Sequence, residues 1–249
     1  LGTRLYDTHP QWRCRDRDGT EIPKMSYAFE GVRDHVVNYY RNLAEKHMDS
    51  LHGLTLLFNR GPVFVLYEEP LIEGFRAKTG LDPREVNPED EDWLRFRAGF
   101  VTEFVRSICG MRDNLEKSSG KRLEICANVF SNRAHNLRYG LDLEAWVDEN
   151  LLDMLIPLEI NWPDVHETFE PNFFVDLCGS SGGFCKCVFE VHAGTEELAK
   201  RVHGYYQAGV DGVFFWDTEG RTRGLASMNV IRKLGHPEAV RQLAEQEEK

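Results

Sequence analysis

The chain has 249 residues, 41% of them hydrophobic and 29% charged, which suits one globular domain with a substantial core. A formal net charge of −11 with no dense Lys/Arg run argues against binding a phosphate backbone, so no nucleic-acid partner is expected. No apolar stretch reaches the roughly 18–20 residues of a membrane span, so no membrane partner is expected, and the acidic surface reads as a solubility device.

The chain begins at Leu1 rather than Met and shows no signal peptide. The natural N-terminus is therefore expected upstream, and localisation stays open. Alternation of helix-like and strand-like segments starts near residue 26. Over 30–47, Val32, Val36, Tyr39, Tyr40 and Leu43 recur at helical spacing. Gly53 leads into LTLLFNR, which reads as a buried strand. A Pro- and Gly-rich excursion over 61–88 carries a short helix at 70–79. Asn87 or Asp90 then caps a long helix ended by Ser118-Ser119-Gly120. LEICANVF follows as a strand, 143–150 as a short helix, DMLIPLEI as a strand and 170–179 as a helix. GSSGG turns into the strand CKCVFEVH. TEELAKRVHGYYQAG is an amphipathic helix stopped at Gly209, DGVFFWD a fifth strand, and the end a helix-like MNVIRKLG with a polar tail.

Five strands alternating with helices imply a parallel sheet with right-handed crossovers. A doubly wound sheet fits the same alternation. However, no Gly-rich phosphate loop follows the first strand, so a dinucleotide-binding reading lacks its main support. The six cysteines form no CxxC pair and are expected as reduced, packed side chains. A Cys178–Cys185 disulfide across the turn is an alternative that spacing alone does not decide.

In a parallel barrel the chemistry sits where strands end. Those ends carry Asn59-Arg60, Asn128, Glu159, Glu190 with His192, and Asp217 with Glu219. Period-two alternation puts Lys186, Val188, Glu190 and His192 on one face of their strand and Cys185, Cys187, Phe189 and Val191 on the other. It likewise pairs Glu124, Cys126 and Asn128 against Ile125, Ala127 and Val129, and sets Asp217 with Val213 and Phe215. The apolar faces should pack on helices, pointing Glu190 into the barrel. Glu159, Glu190 and Asp217 would converge on the mouth, with Glu68 and Glu69 in the loop above it.

Paired carboxylates suit glycoside hydrolysis, one as proton donor and the other as nucleophile or base. Any one of them serves equally as a helix cap or ion-pair partner. Tyr67, Trp162 and Trp216 lie beside these acids and offer aromatic faces for sugar rings. Trp216 reads equally as core, as do Trp93 and Trp146 in their helices. The candidate catalytic residues are thus Glu190, Asp217, Glu69, Glu68 and Glu159. Asn59, Arg60, Tyr67, Asn128, Trp162, His192 and Trp216 are candidate substrate contacts. No strand-to-helix G-x-S-x-G elbow and no HEXXH motif occurs, GSSGG at 179–183 leading into a strand instead; the spacing of His166 and His192 gives a metal little support, and no cofactor is called for.

Several segments resemble a known family. SYAFEGVRDHVVNYYRNLAEKHMDSLHGLTLLFNRGP, YGLDLEAWVDENLLDMLIPL, AGVDGVFFWDTEG and the early HPQWRCRDRDG are similar, in that order, to the glycoside-hydrolase-like barrels called family ten glycosylhydrolases. The resemblance implies a (β/α)8 barrel, a glycosidase and a poly- or oligosaccharide substrate. It also implies that the visible strands are the fourth to the eighth, the first three lying upstream of Leu1, so that the open edge would be completed by self-association or left as a truncated barrel. Two departures stand out. Leu57 occupies the place of an Asp found on the fourth strand in many relatives, and Asn59-Arg60 the place of an Asn-Glu pair in the large retaining clan. The alternatives are therefore a carbohydrate-binding barrel without catalysis, or a metal-dependent barrel hydrolase.

Overall fold

A computed structural model of the chain describes residues 3–158, 169–191, 197–215 and 228–247. Helix α1 (Thr3–Thr8) and a 3-10 turn (Pro10–Trp12) lead into an antiparallel hairpin of β1 (Arg13–Arg15) and β2 (Glu21–Met25). Its turn is held by Asp16, whose carboxylate accepts from the N–H of Asp18 at 3.0 Å and of Thr20 at 2.8 Å. The strands are too short for an alternation signal, and the sequence reading passes over them.

The rest alternates. α2 (Glu30–His47) precedes β3 (Gly53–Leu57) and a 3-10 turn (Phe58–Arg60); α3 (Glu69–Thr79) and α4 (Glu91–Ser119) precede β4 (Glu124–Val129). Asp90 is the cap of α4, its carboxylate accepting from Trp93 N–H, and Gly120 ends that helix at φ 71°. α5 (Arg133–Arg138) and α6 (Leu143–Asp148) follow, then β5 (Met154–Pro157), α7 (Pro171–Ser180), β6 (Lys186–Val191), α8 (Leu198–Ala208), β7 (Gly212–Phe215), α9 (Met228–Ile231) and α10 (Pro237–Glu247). The expected polar tail is thus a helix. Its stripe of Val240 and Ala244 is buried, and Val240 clusters with Leu198 and Val202 of α8.

β3 to β7 form one parallel sheet in strictly sequential order. A doubly wound sheet reverses order at its switch point. Sequential parallel order instead places every crossover on one face, the winding that barrels use. The sheet is compatible with part of such a barrel.

Register divides its two faces. Leu54, Ile125, Leu155 and Cys187 share one face, as do Leu56 and Ala127. All are at most 4% exposed, under the helices. The other face carries Thr55, Leu57, Cys126, Asn128, Met154, Lys186 and Glu190. Thr55 and Lys186 are exposed, Leu57 is 41% exposed, and Cys126 and Met154 are half-buried. Among the described residues this face is free of helices, open low down and closed at the strands' C-terminal ends.

Gly31, in the first turn of α2, locks the hairpin to this body. A Cβ there would overlap the Trp12 ring. Gly31→Ala gains at most about 1 kcal/mol of helix propensity, whereas overpacking costs about 1–3 kcal/mol. Net destabilisation with a changed Trp emission is expected in a urea titration.

Candidate functional site at the C-terminal strand ends

Asn128 and Glu190 come together on the helix-free face, as the alternation of their strands predicts. Asn128 Nδ2 donates to Glu190 Oε2 at 3.4 Å. Their strands are separated by β5, a span of roughly 9–10 Å, so both side chains lean across it. Glu190 stands in register with Phe214, and through a single bridge with Leu158. Glu190 is 1% exposed and Asn128 fully buried. The Oδ1 atoms of Asn128 and of Asn59, on the turn after β3, are buried and find no hydrogen-bond partner among the described residues. Orphaned buried acceptors are uncommon and costly, and they are what a bound hydroxyl would satisfy.

The remaining candidates divide. Glu159, Trp162, His192, Trp216 and Asp217 lie outside the described residues, as do His166 and Glu219. Val213 and Phe215, with which Asp217 was grouped, lie in register with Phe189 and Val191 on the helix-covered face. Arg60 is exposed on the 3-10 turn, and Glu69 is exposed at the start of α3, where a carboxylate favours the helix dipole.

Glu68 and Tyr67, expected above the mouth, are instead buried in the contact between hairpin and loop. Glu68 Oε1 accepts from Arg15 N–H at 3.0 Å and Oε2 from Leu66 N–H at 2.9 Å. Tyr67 packs against Trp93 at a tilt, with centroids 5.2 Å apart, and its N–H donates to Arg15 O. Both serve the loop that follows β3. Burial raises the Glu68 carboxyl above its ordinary value, outweighing the two amide donors. An acid raised in the folded state contributes stability below its unfolded pKa and loses it as pH rises through the folded one. The wild type should therefore gain stability relative to Glu68→Gln as pH falls from neutrality toward the ordinary Glu range. Parallel urea titrations across that range read this, and a flat difference would count against it.

Sequence reasoning missed the polar web after β4. Asn132 Oδ1 caps α5 at His135 N–H, at 2.8 Å. Asn136 closes the turn: its Oδ1 accepts from Phe130 N–H, and its Nδ2 donates to Phe130 O and Asn132 O. The His135 ring packs on Phe130 and Tyr139, each at 4.8 Å. The available signal was an Asn placed as an N-cap. This turn and the start of α7 flank an open cleft of about 600 Å³, whose lining includes Arg133, Phe169, Glu170 and Phe173. That is within the size range of ligand sites.

Trp93 and Trp146 are core, as expected, each 0% exposed. Among the described residues no helix is long and apolar enough to cross a membrane, and no group of three His, Cys, Asp or Glu side chains is placed to hold a metal.

A scan against protein-family models finds no match, and a search of curated proteins finds none either. Among solved structures the chain is similar to a β-galactosidase from Bacillus circulans sp. alkalophilus, with a TM-score of 0.59 and 13% identity. The likeness covers 99% of this chain and 44% of that one. The chain therefore shares the fold of part of that enzyme and spans less than half of its length.

Proposed function

We propose that the chain is the catalytic-face portion of a (β/α)8 glycoside hydrolase, of the family ten glycosylhydrolase type, acting on a poly- or oligosaccharide. In this reading β3 to β7 are barrel strands four to eight. Further polypeptide, or a second copy, covers the edge of β3 and the open face at Thr55 and Leu57, since an uncovered edge invites pairing.

The observation that carries the reading is the buried Asn128–Glu190 pair at the strand ends, beside an unsatisfied amide oxygen. A glycosidase needs such a carboxylate as nucleophile or base, with a neighbouring amide to orient it or hold a sugar hydroxyl. The second carboxylate is assigned to Glu159 or Asp217, which follow β5 and β7 in sequence. Trp162, His192, Trp216 and Asn59 are assigned to the sugar, with Arg60 at the rim. The fold of the neighbouring β-galactosidase supports the reaction class.

The test is a panel of aryl glycosides, aryl β-galactosides included, and of polysaccharides. Released aryl alcohol or new reducing ends support the proposal. Sugar binding without turnover would favour a binding barrel instead, a reading motivated by Asn59-Arg60 standing where a catalytic acid is expected.

A further inference from the structure

Three buried thiols meet where α7 is joined to β6. Cys178 lies in the last turn of α7, Cys185 immediately before β6 and Cys187 within it; none is more than 3% exposed. The sulfurs of Cys178 and Cys185 are 4.0 Å apart. The turn between them is pinned by one hydroxyl. Ser181 Oγ donates to Cys178 O at 2.6 Å and accepts from Cys185 N–H at 2.9 Å. Gly182 and Gly183 complete the turn at φ 65° and 91°, a conformation that other residues resist. Both cysteine backbones are therefore anchored around the same side chain, with their sulfurs facing.

Cys187 is placed differently. Its N–H donates to the Asp211 carboxylate at 2.8 Å and its O accepts from Asp211 N–H at 2.8 Å. Those bonds fix Cys187 in the sheet, while Cys185 sits outside the strand, its sulfur 4.0 Å from that of Cys178 against a bond of about 2.05 Å. Among the described residues these sulfurs do not form a metal-holding group.

We propose that Cys178 and Cys185 are a disulfide-forming pair that staples α7 to β6, with Cys187 remaining a thiol. The oxidant is a small-molecule disulfide such as oxidised glutathione. One thiol loses its proton and attacks a sulfur of that reagent, giving a mixed disulfide and releasing one reduced thiol. The second cysteine, deprotonated in turn, attacks the protein sulfur, forms the Cys178–Cys185 bond and expels the second reduced thiol. Two protein thiols are oxidised and one reagent disulfide is reduced. The hydrogen bond shared with Cys178 and burial push the Cys185 thiol up, so exchange proceeds slowly through opening of the Gly182-Gly183 turn.

The sequence makes the test direct. No Lys or Arg lies between Tyr139 and Lys186, so trypsin leaves Cys178 and Cys185 in one peptide and Cys187 in the next. The full chain is equilibrated with oxidised and reduced glutathione, denatured, alkylated without reduction, digested and weighed. The expected peptide spanning Tyr139–Lys186 is two hydrogens lighter than its reduced form and carries no alkyl group, while the peptide beginning at Cys187 is alkylated. Cys187→Ser should leave that result unchanged and Cys185→Ser should abolish it. The oxidised wild type should melt about 5 °C above the reduced form, and Cys185→Ser should show no such gap. Full alkylation at every glutathione ratio, or a cross-link between the two peptides, overturns the proposal.

Discussion

Glu190→Gln should cut turnover of any substrate found in the panel by roughly 10²–10⁴-fold, the range ascribed to a single acid or base group. The substitution is nearly isosteric, and the Gln carbonyl can still accept from Asn128 Nδ2, the bond seen at 3.4 Å. The buried side chain therefore keeps its volume and a partner, and the melting temperature should move by only a few degrees. What disappears is the negative charge that the proposed mechanism uses to attack the anomeric carbon or to take a proton from water. KM should change little if Glu190 acts mainly in the transition state. Asn128→Ala supplies the companion measurement. It removes a positioning group, so kcat should fall less than in Glu190→Gln, and the acid limb of the pH profile should shift as the carboxylate loses its donor. Full activity in Glu190→Gln, with a normal melting curve, would sink its proposed role.

The position of Glu190 was legible because β6 is a parallel strand with one face sealed by helices. Cys187, Phe189 and Val191 had to be apolar, and the alternate residues were thereby assigned to the other face. The same logic placed Asn128. It failed for Glu68, whose backbone partner at Arg15 lies 53 positions away. Nothing local marks a carboxylate that will cap a distant amide. It failed also for the last helix, where one buried stripe of Val240 and Ala244 is hidden among charges. Sequential strand order was beyond the sequence as well. Alternation alone permits two windings, and only pairing separates them.

The strand starts hold the second large effect. Asp153, just before β5, is 6% exposed. Its Oδ2 accepts from Ile125 N–H of β4 at 2.8 Å and from Arg112 of α4 at 3.5 Å, while Arg122 binds Oδ1. Its own N–H and O join Ile125 O and Lys186 N–H, so one residue ties three strands to the longest helix. Asp211 repeats the device before β7, accepting from Cys187 N–H. Acids at this end of a parallel sheet serve stability, while those at the opposite end serve chemistry. Asp153→Ala would leave Ile125 N–H, in a residue 0% exposed, without its acceptor, and the Arg112 guanidinium, in a residue 8% exposed, without that carboxylate. Removing one partner of a buried pair costs about 3–5 kcal/mol, far more than breaking an exposed pair such as Arg241–Glu238. Asp153→Asn keeps an acceptor for Ile125 and should lose less. Urea titrations should show both midpoints falling, Ala below Asn, with unchanged slope. A drop of under about 1 kcal/mol for Asp153→Ala would mean that water reaches the site and that the three-strand tie is not what holds this end of the sheet.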